Sequence, residues 1–148
     1  MPDGPRQPAP DPPAARGAEA RPGLMILANT IAPYRVTLHQ RIAREIPQFA
    51  LHSAFTHGNA EFAWTLDVPE EIGAVWFDEQ GESPLESTWR HPRRDYRKGG
   101  AVIRYMREHD VRAVISHGYN YLSHLRVIRY CHRRRIPVFL RGDSNIRD

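Results

Sequence analysis

Leu24-Met-Ile-Leu-Ala-Asn-Thr-Ile-Ala-Pro-Tyr-Arg35 is the stretch on which the fold turns. Its apolar first half does not alternate with polar residues and ends in a turn, the pattern of a strand buried on both faces. Pro33 suits the first position of a helix, where its missing N–H costs nothing and its fixed φ is already helical. Beyond it Tyr34, Leu38, Ile42 and Ile46 recur at helical spacing. Arg35, His39, Arg41, Arg44 and Glu45 fall largely on the opposite side. The unit reads as strand, turn and amphipathic helix.

The same theme repeats outward from it. Residues 49–55 alternate as a strand does, and 73–78 form a third apolar run. Asp95 is placed to cap a helix reaching about His109, with Ala101, Val102, Tyr105 and Met106 on its apolar face and Gly99-Gly100 weakening its first turn. Residues 111–116 predict a strand, and 120–135 a helix with Leu122, Leu125, Ile128 and Cys131 facing inward. Arg133-Arg134-Arg135 closes that helix with cations against its negative end. Residues 137–140 predict a last strand. Strands alternating with helices argue for an α/β, Rossmann-like, doubly wound and mostly parallel sheet with helices on both faces. The long connections 56–72 and 79–94, which carry Trp64 and Trp89, read as binding surface.

Composition narrows the classes. With 148 residues the chain holds one domain, and 41% hydrophobic with 26% charged residues is ordinary for a globular protein. The single cysteine, Cys131, excludes an internal disulfide and a cysteine-based zinc cluster. Residues 1–22 hold seven of the 13 prolines and almost no large apolar side chain, which predicts a disordered tail ahead of a domain at 23–148. That tail lacks the apolar core of a secretory signal, so a cytoplasmic location is expected. The net charge of +4 and pI near 9.6 raise the question of a polyanion partner. The arginines read as scattered over helix faces and the tail, so nucleic acid is not expected.

In an open α/β sheet, ligands bind beyond the carboxyl ends of the strands, where the strand order reverses. Three turns should meet there: 29–35, 117–120 and 141–145. Arg35 is either a ligand contact or a solvated first-turn residue, and Asn29 either a contact or a turn stabiliser. His117 at a strand end is the candidate base or hydroxyl contact, since histidine titrates near neutrality. A structural histidine is the competing reading. Gly118 either belongs to the site or supplies a backbone conformation closed to other residues. Asp143 is a functional carboxylate or the cap of a following helix. The remaining histidines, among them His39, His52 and His124, lack metal-ligand spacing and read as surface or packing residues. There is no Gly-x-Gly-x-x-Gly, no Walker lysine loop and no Gly-x-Ser-x-Gly elbow.

Asn29 to Arg35, with its Pro33-Tyr34-Arg35, resembles the first loop of bacterial family 4 glycosyltransferases of the GT-B fold. Residues 61–64 after the second strand, the strand ending in His117-Gly118-Tyr119, and 136–140 leading into Arg141-Gly142-Asp143-Ser144 follow the same order. The resemblance covers about residues 24–148 and implies the amino-terminal half of a two-domain enzyme, truncated here. Such enzymes transfer a sugar from a nucleotide diphosphate donor to a glycan or lipid-linked acceptor hydroxyl with retention, without a metal or other cofactor. The resemblance implies that the acidic pair and most donor contacts lie in a carboxy-terminal half. It places the first loop (Asn29, Pro33, Tyr34, Arg35) opposite the donor diphosphate, His117 with Gly118 and Tyr119 at the acceptor, and Arg141, Asp143 and Ser144 along the cleft floor. A Gly-Gly pair common in that first loop is absent here. The resemblance also implies work at the inner membrane face, for which the basic residues 90–98 offer a peripheral contact. The alternative is a stand-alone binding or regulatory module without catalysis.

Overall fold

A computed structural model describes residues 21–58, 67–77 and 90–142. Most of the expected tail, the 61–64 loop, Trp89, Asp143 and Ser144 lie outside them. The elements run β1 (Gly23–Ala28), α1 (Pro33–Glu45), β2 (Ala50–Phe55), a 3-10 turn (Glu70–Ile72), β3 (Ala74–Trp76), α2 (Pro92–Glu108), β4 (Val111–His117), α3 (Leu122–Arg134) and β5 (Val138–Arg141). The five strands form one sheet in the order β3-β2-β1-β4-β5. Every pairing is parallel, with Ile26 opposite Ser53 on one side and Ile115 on the other. The chain winds outward from β1 to β3, returns over the sheet through α2, and winds outward again from β4. The order therefore reverses between β1 and β4. This is the α/β doubly wound architecture that the strand and helix periodicities predict.

β1 is central because its side chains are apolar on both faces. Met25 and Leu27 join Val102, Met106, Val114, Val127 and Cys131 beneath α2 and α3. Leu24 and Ile26 pack with Leu51, Ile72 and the Ile42 of α1 on the other face. Fully burying one such side chain stabilises the fold by about 1.5–3 kcal/mol. Cys131 is core, and burial pushes its thiol up to about 11.

Four expectations need correction. The helix expected to be capped by Asp95 begins at Pro92, inside the segment assigned to a loop. Asp95 is buried, and its Oδ2 accepts from the Ser123 amide at 3.1 Å, so it caps α3 and not its own helix. The inner face of α3 is Ser123, His124, Val127 and Cys131, while Leu125 is exposed. On α1 the buried positions are Val36 and His39, with Tyr34 exposed. The third strand spans only Ala74–Trp76, because the left-handed Gly73 (φ 53°) ends a 3-10 turn just before it. Among the described residues no helix is long and apolar enough to cross a membrane.

Gly99 also changes meaning. A Cβ there would lie 2.8 Å from the Ser123 carbonyl oxygen and 3.0 Å from the Arg126 Cβ. The glycine sets how closely α2 and α3 approach. At Gly100 the added atom would meet only the Arg126 guanidinium, which can swing aside. Gly99→Ala should therefore destabilise the domain by roughly 1 kcal/mol or more, overpacking outweighing the gain in helix propensity. Gly100→Ala should be neutral or stabilising by up to about 1 kcal/mol. Urea unfolding of the two variants checks the contrast, and equal effects would show that the helices do not meet at Gly99.

Candidate functional site

Beyond the carboxyl ends of β1 and β4 lies a cleft of about 470 Å³ lined by Asn29, Arg35, His117, Gly118, Tyr119, Asn120, Tyr121, Arg141 and Gly142. The turn after β1 supplies one wall. Pro33 occupies the first turn of α1, next to the extended Ala32, and no acidic residue lies in that turn. The positive end of the helix is left uncompensated by any side-chain cap. Arg35 folds back from this turn: its NH1 group donates to the Thr30 carbonyl at 2.6 Å and to Asn29 Oδ1 at 3.1 Å. Its Nε donates to the Tyr34 hydroxyl at 3.1 Å. Three of the five guanidinium protons are thus used to fix the side chain. The NH2 group keeps its two donors unused among the described residues.

Asn29 joins the two walls. Its Oδ1 accepts from Arg35, and its Nδ2 donates to the Tyr121 hydroxyl at 3.2 Å. Tyr121 is the residue that precedes α3, and its ring packs on His57 with centroids 4.8 Å apart. Both readings of Asn29 hold at once, since the side chain stabilises its turn and lines the cleft. Gly118 has φ +83°, and a Cβ there would meet nothing. Its conformation, not a close approach, requires glycine. Its amide donates to the Arg141 carbonyl at 3.0 Å and pins the end of β5 beside the cleft.

Of the sequence-predicted residues, Asn29, Arg35, His117, Gly118, Tyr119 and Arg141 converge. Pro33 and Tyr34 do not line the cleft; Pro33 sets the helix start and Tyr34 acts through Arg35. Only one of the two expected helix N-termini is open to an anion, because Asp95 already occupies that of α3. Tyr121 and Asn120 went unselected, although they follow Tyr119 directly in the same turn. No described lining residue is a carboxylate. Two guanidinium groups, an imidazole and the start of α1 make a cationic cleft suited to phosphate oxygens. Among the described residues no group of three or more His, Cys, Asp or Glu is placed to hold a metal.

Two buried histidines, His39 and His124, lie beneath this floor, the packing side of their surface-or-packing reading. The His39 ring stacks on Phe55, and its Nδ1 is 2.8 Å from the Ser53 hydroxyl. That hydroxyl donates to the Ile72 carbonyl at 2.8 Å, so it must accept from His39 Nδ1–H. His39 Nε2 is then an acceptor, buried and with no hydrogen-bond partner among the described residues. Burial, reinforced by the neighbouring His117, Arg35 and Arg141, lowers the His39 pKa from 6.5 to about 4. His124 lies between Thr56 Oγ1 and Ser116 Oγ, each at 3.4 Å, and burial lowers it to about 4 as well. The ordinary amphipathic pattern gave no signal for either residue.

These two depressed values fix a pH dependence. Above pH 6.5 both histidines are neutral whether the chain is folded or not, and stability is full. As pH falls from 6.5 toward 4, the unfolded chain takes up two protons that the folded one refuses. Each costs about 1.4 kcal/mol per pH unit at the limit. Urea unfolding across this range should show stability falling steeply with acidity, and the slope should shrink in His39→Leu. A flat profile for the parent chain would mean that the histidines are not held neutral.

Compared with family models, curated proteins and solved structures, the chain matches none.

Proposed function

We propose that this chain is the acceptor-side domain of a sugar transferase that uses a nucleotide diphosphate donor. The observation that supports it is the convergence of Arg35, His117 and Arg141 from three separate turns on one cationic cleft at the β1–β4 reversal. In this reading the two N–H groups of Arg35 NH2, unused among the described residues, meet the donor diphosphate, with the positive end of α1 behind them. Held by Thr30 and Asn29, the guanidinium pays little reorganisation when charge builds on the leaving diphosphate. His117 and Tyr119 orient the acceptor hydroxyl, and the His117 imidazole takes its proton as the new glycosidic bond forms. Arg141 stands at the wall of the same cleft. In this reading the carboxylate pair and the remaining donor contacts come from a partnering domain.

A stand-alone binding module is the second reading. The exposed Phe139 and Leu140 of edge strand β5 favour it, because an apolar strand edge is a surface for another element.

Calorimetric titration of the chain with UDP, GDP and inorganic pyrophosphate tests the first reading. All three should bind and the corresponding nucleosides should not. Arg35→Ala should weaken binding roughly 10- to 100-fold, the worth of a charge-assisted hydrogen bond. Absence of diphosphate binding, or binding unaffected by Arg35→Ala, would favour the module reading instead.

A further inference from the structure

Away from the cleft, where α2 ends, three rings gather over the sheet. His52 projects from the middle of β2, Tyr105 lies in the last turn of α2, and His109 follows directly after that helix. The Tyr105 and His109 rings stack with centroids 3.8 Å apart and planes 19° from parallel. His52 is turned steeply to both, 5.5 Å from Tyr105 and 5.3 Å from His109. Stacking accounts for the packing of the rings but not for how their polar atoms are tied. His109 Nδ1 lies 2.9 Å from the Tyr105 carbonyl oxygen. A carbonyl only accepts, so Nδ1 carries the proton and Nε2 of the neutral ring keeps its lone pair. His52 Nδ1 lies 3.0 Å from the Tyr105 hydroxyl. A phenol oxygen can accept, so His52 has the same tautomer open to it, with Nδ1–H bonded and Nε2 bare.

Metal-bound histidines are held in this way: the second ring nitrogen donates to an oxygen that fixes the tautomer and the ring. Here one residue supplies both oxygens. The spacing also fits. A zinc ion on an imidazole nitrogen lies about 3.2 Å from the ring centroid, so two rings at a tetrahedral angle stand about 5.2 Å apart. The observed separation is 5.3 Å. We propose that His52 and His109 form a site for a divalent transition ion of the zinc class, with Tyr105 positioning both imidazoles. Imidazole suits this class, whereas magnesium and calcium prefer oxygen ligands. Among the described residues no third His, Cys, Asp or Glu completes a cluster here, and His109 is exposed, so water fills the remaining positions. The two ligands come from different layers, and the ion clamps the end of α2 to the sheet. The length of β4, Val111–His117, separates the site from His117, and the inference stands independently of what the cleft binds.

Zinc titration of the isotope-labelled chain at neutral pH, followed by amide chemical shifts, tests it. The largest perturbations should fall on residues 51–53 and 104–110, and magnesium should produce none. Thermal unfolding should shift upward with zinc, because the ion binds only the folded pair. Tyr105→Phe, which keeps the carbonyl and loses the hydroxyl, should weaken zinc binding roughly tenfold, the usual effect of an outer partner. His109→Ala removes a ligand from an exposed position that the fold does not need, and should weaken binding further. His132→Ala, at an exposed position on α3, should bind as the parent does. Perturbations centred on residues 117–124, no response at hundred-micromolar zinc, or undiminished binding by His109→Ala would each overturn the site. Undiminished binding by Tyr105→Phe would overturn the positioning role.

Discussion

Burial of β1 on both faces is the constraint from which the rest follows. A strand whose neighbouring side chains point into two separate cores must sit in the interior of a sheet, with a helical layer above and below. Once β2 and β4 flank it, the chain has to reverse its winding across β1. The ends of β1 and β4 then cannot be closed by a single connection, and a cleft opens between their turns. The position of the site is a consequence of hydrophobic partition in six residues, Gly23–Ala28, and not of any residue that lines it.

Polar chemistry is concentrated at the same end of the sheet. Asn29 ties the first turn to Tyr121, Asp95 ties α2 to the start of α3, and Lys98 ties α2 to the end of β2. Beneath them His39 and His124 are held neutral, so the floor adds dipoles without adding charge. The cationic character of the cleft comes from Arg35 and Arg141 at its walls. This division keeps a positive rim above an uncharged base, an arrangement in which a bound phosphate would be less screened than in open solvent.

The sequence made some of this plain and hid the rest for identifiable reasons. The unalternating run at 24–28, Pro33 as a helix start and the meeting of three turns were all legible, because strand burial and helix entry are local signals. The faces of α1 and α3 were not. Ranking by hydrophobicity placed Tyr34 and Leu125 inside and His39 outside. The fold instead buries His39 against Phe55 and Ser53, since tertiary hydrogen bonds make a neutral imidazole an acceptable core group. Asp95 read as a cap, correctly in chemistry but on the wrong helix, because a carboxylate can serve any amide that the fold brings to it. Gly99 read as a weakness in a helix, whereas its value appears only when α3 is in place. The meeting of His52 with His109 was equally invisible, since it depends on which helix covers β2.

The central claim is that the β1–β4 reversal is the anion site of this domain. Amide chemical-shift mapping of the isotope-labelled chain during titration with inorganic pyrophosphate tests it most directly. The largest perturbations should fall on residues 29–36 and 117–121 and should vanish in Arg35→Ala. Perturbations centred on the outer faces of α2 and α3, with those two turns unmoved, would contradict it.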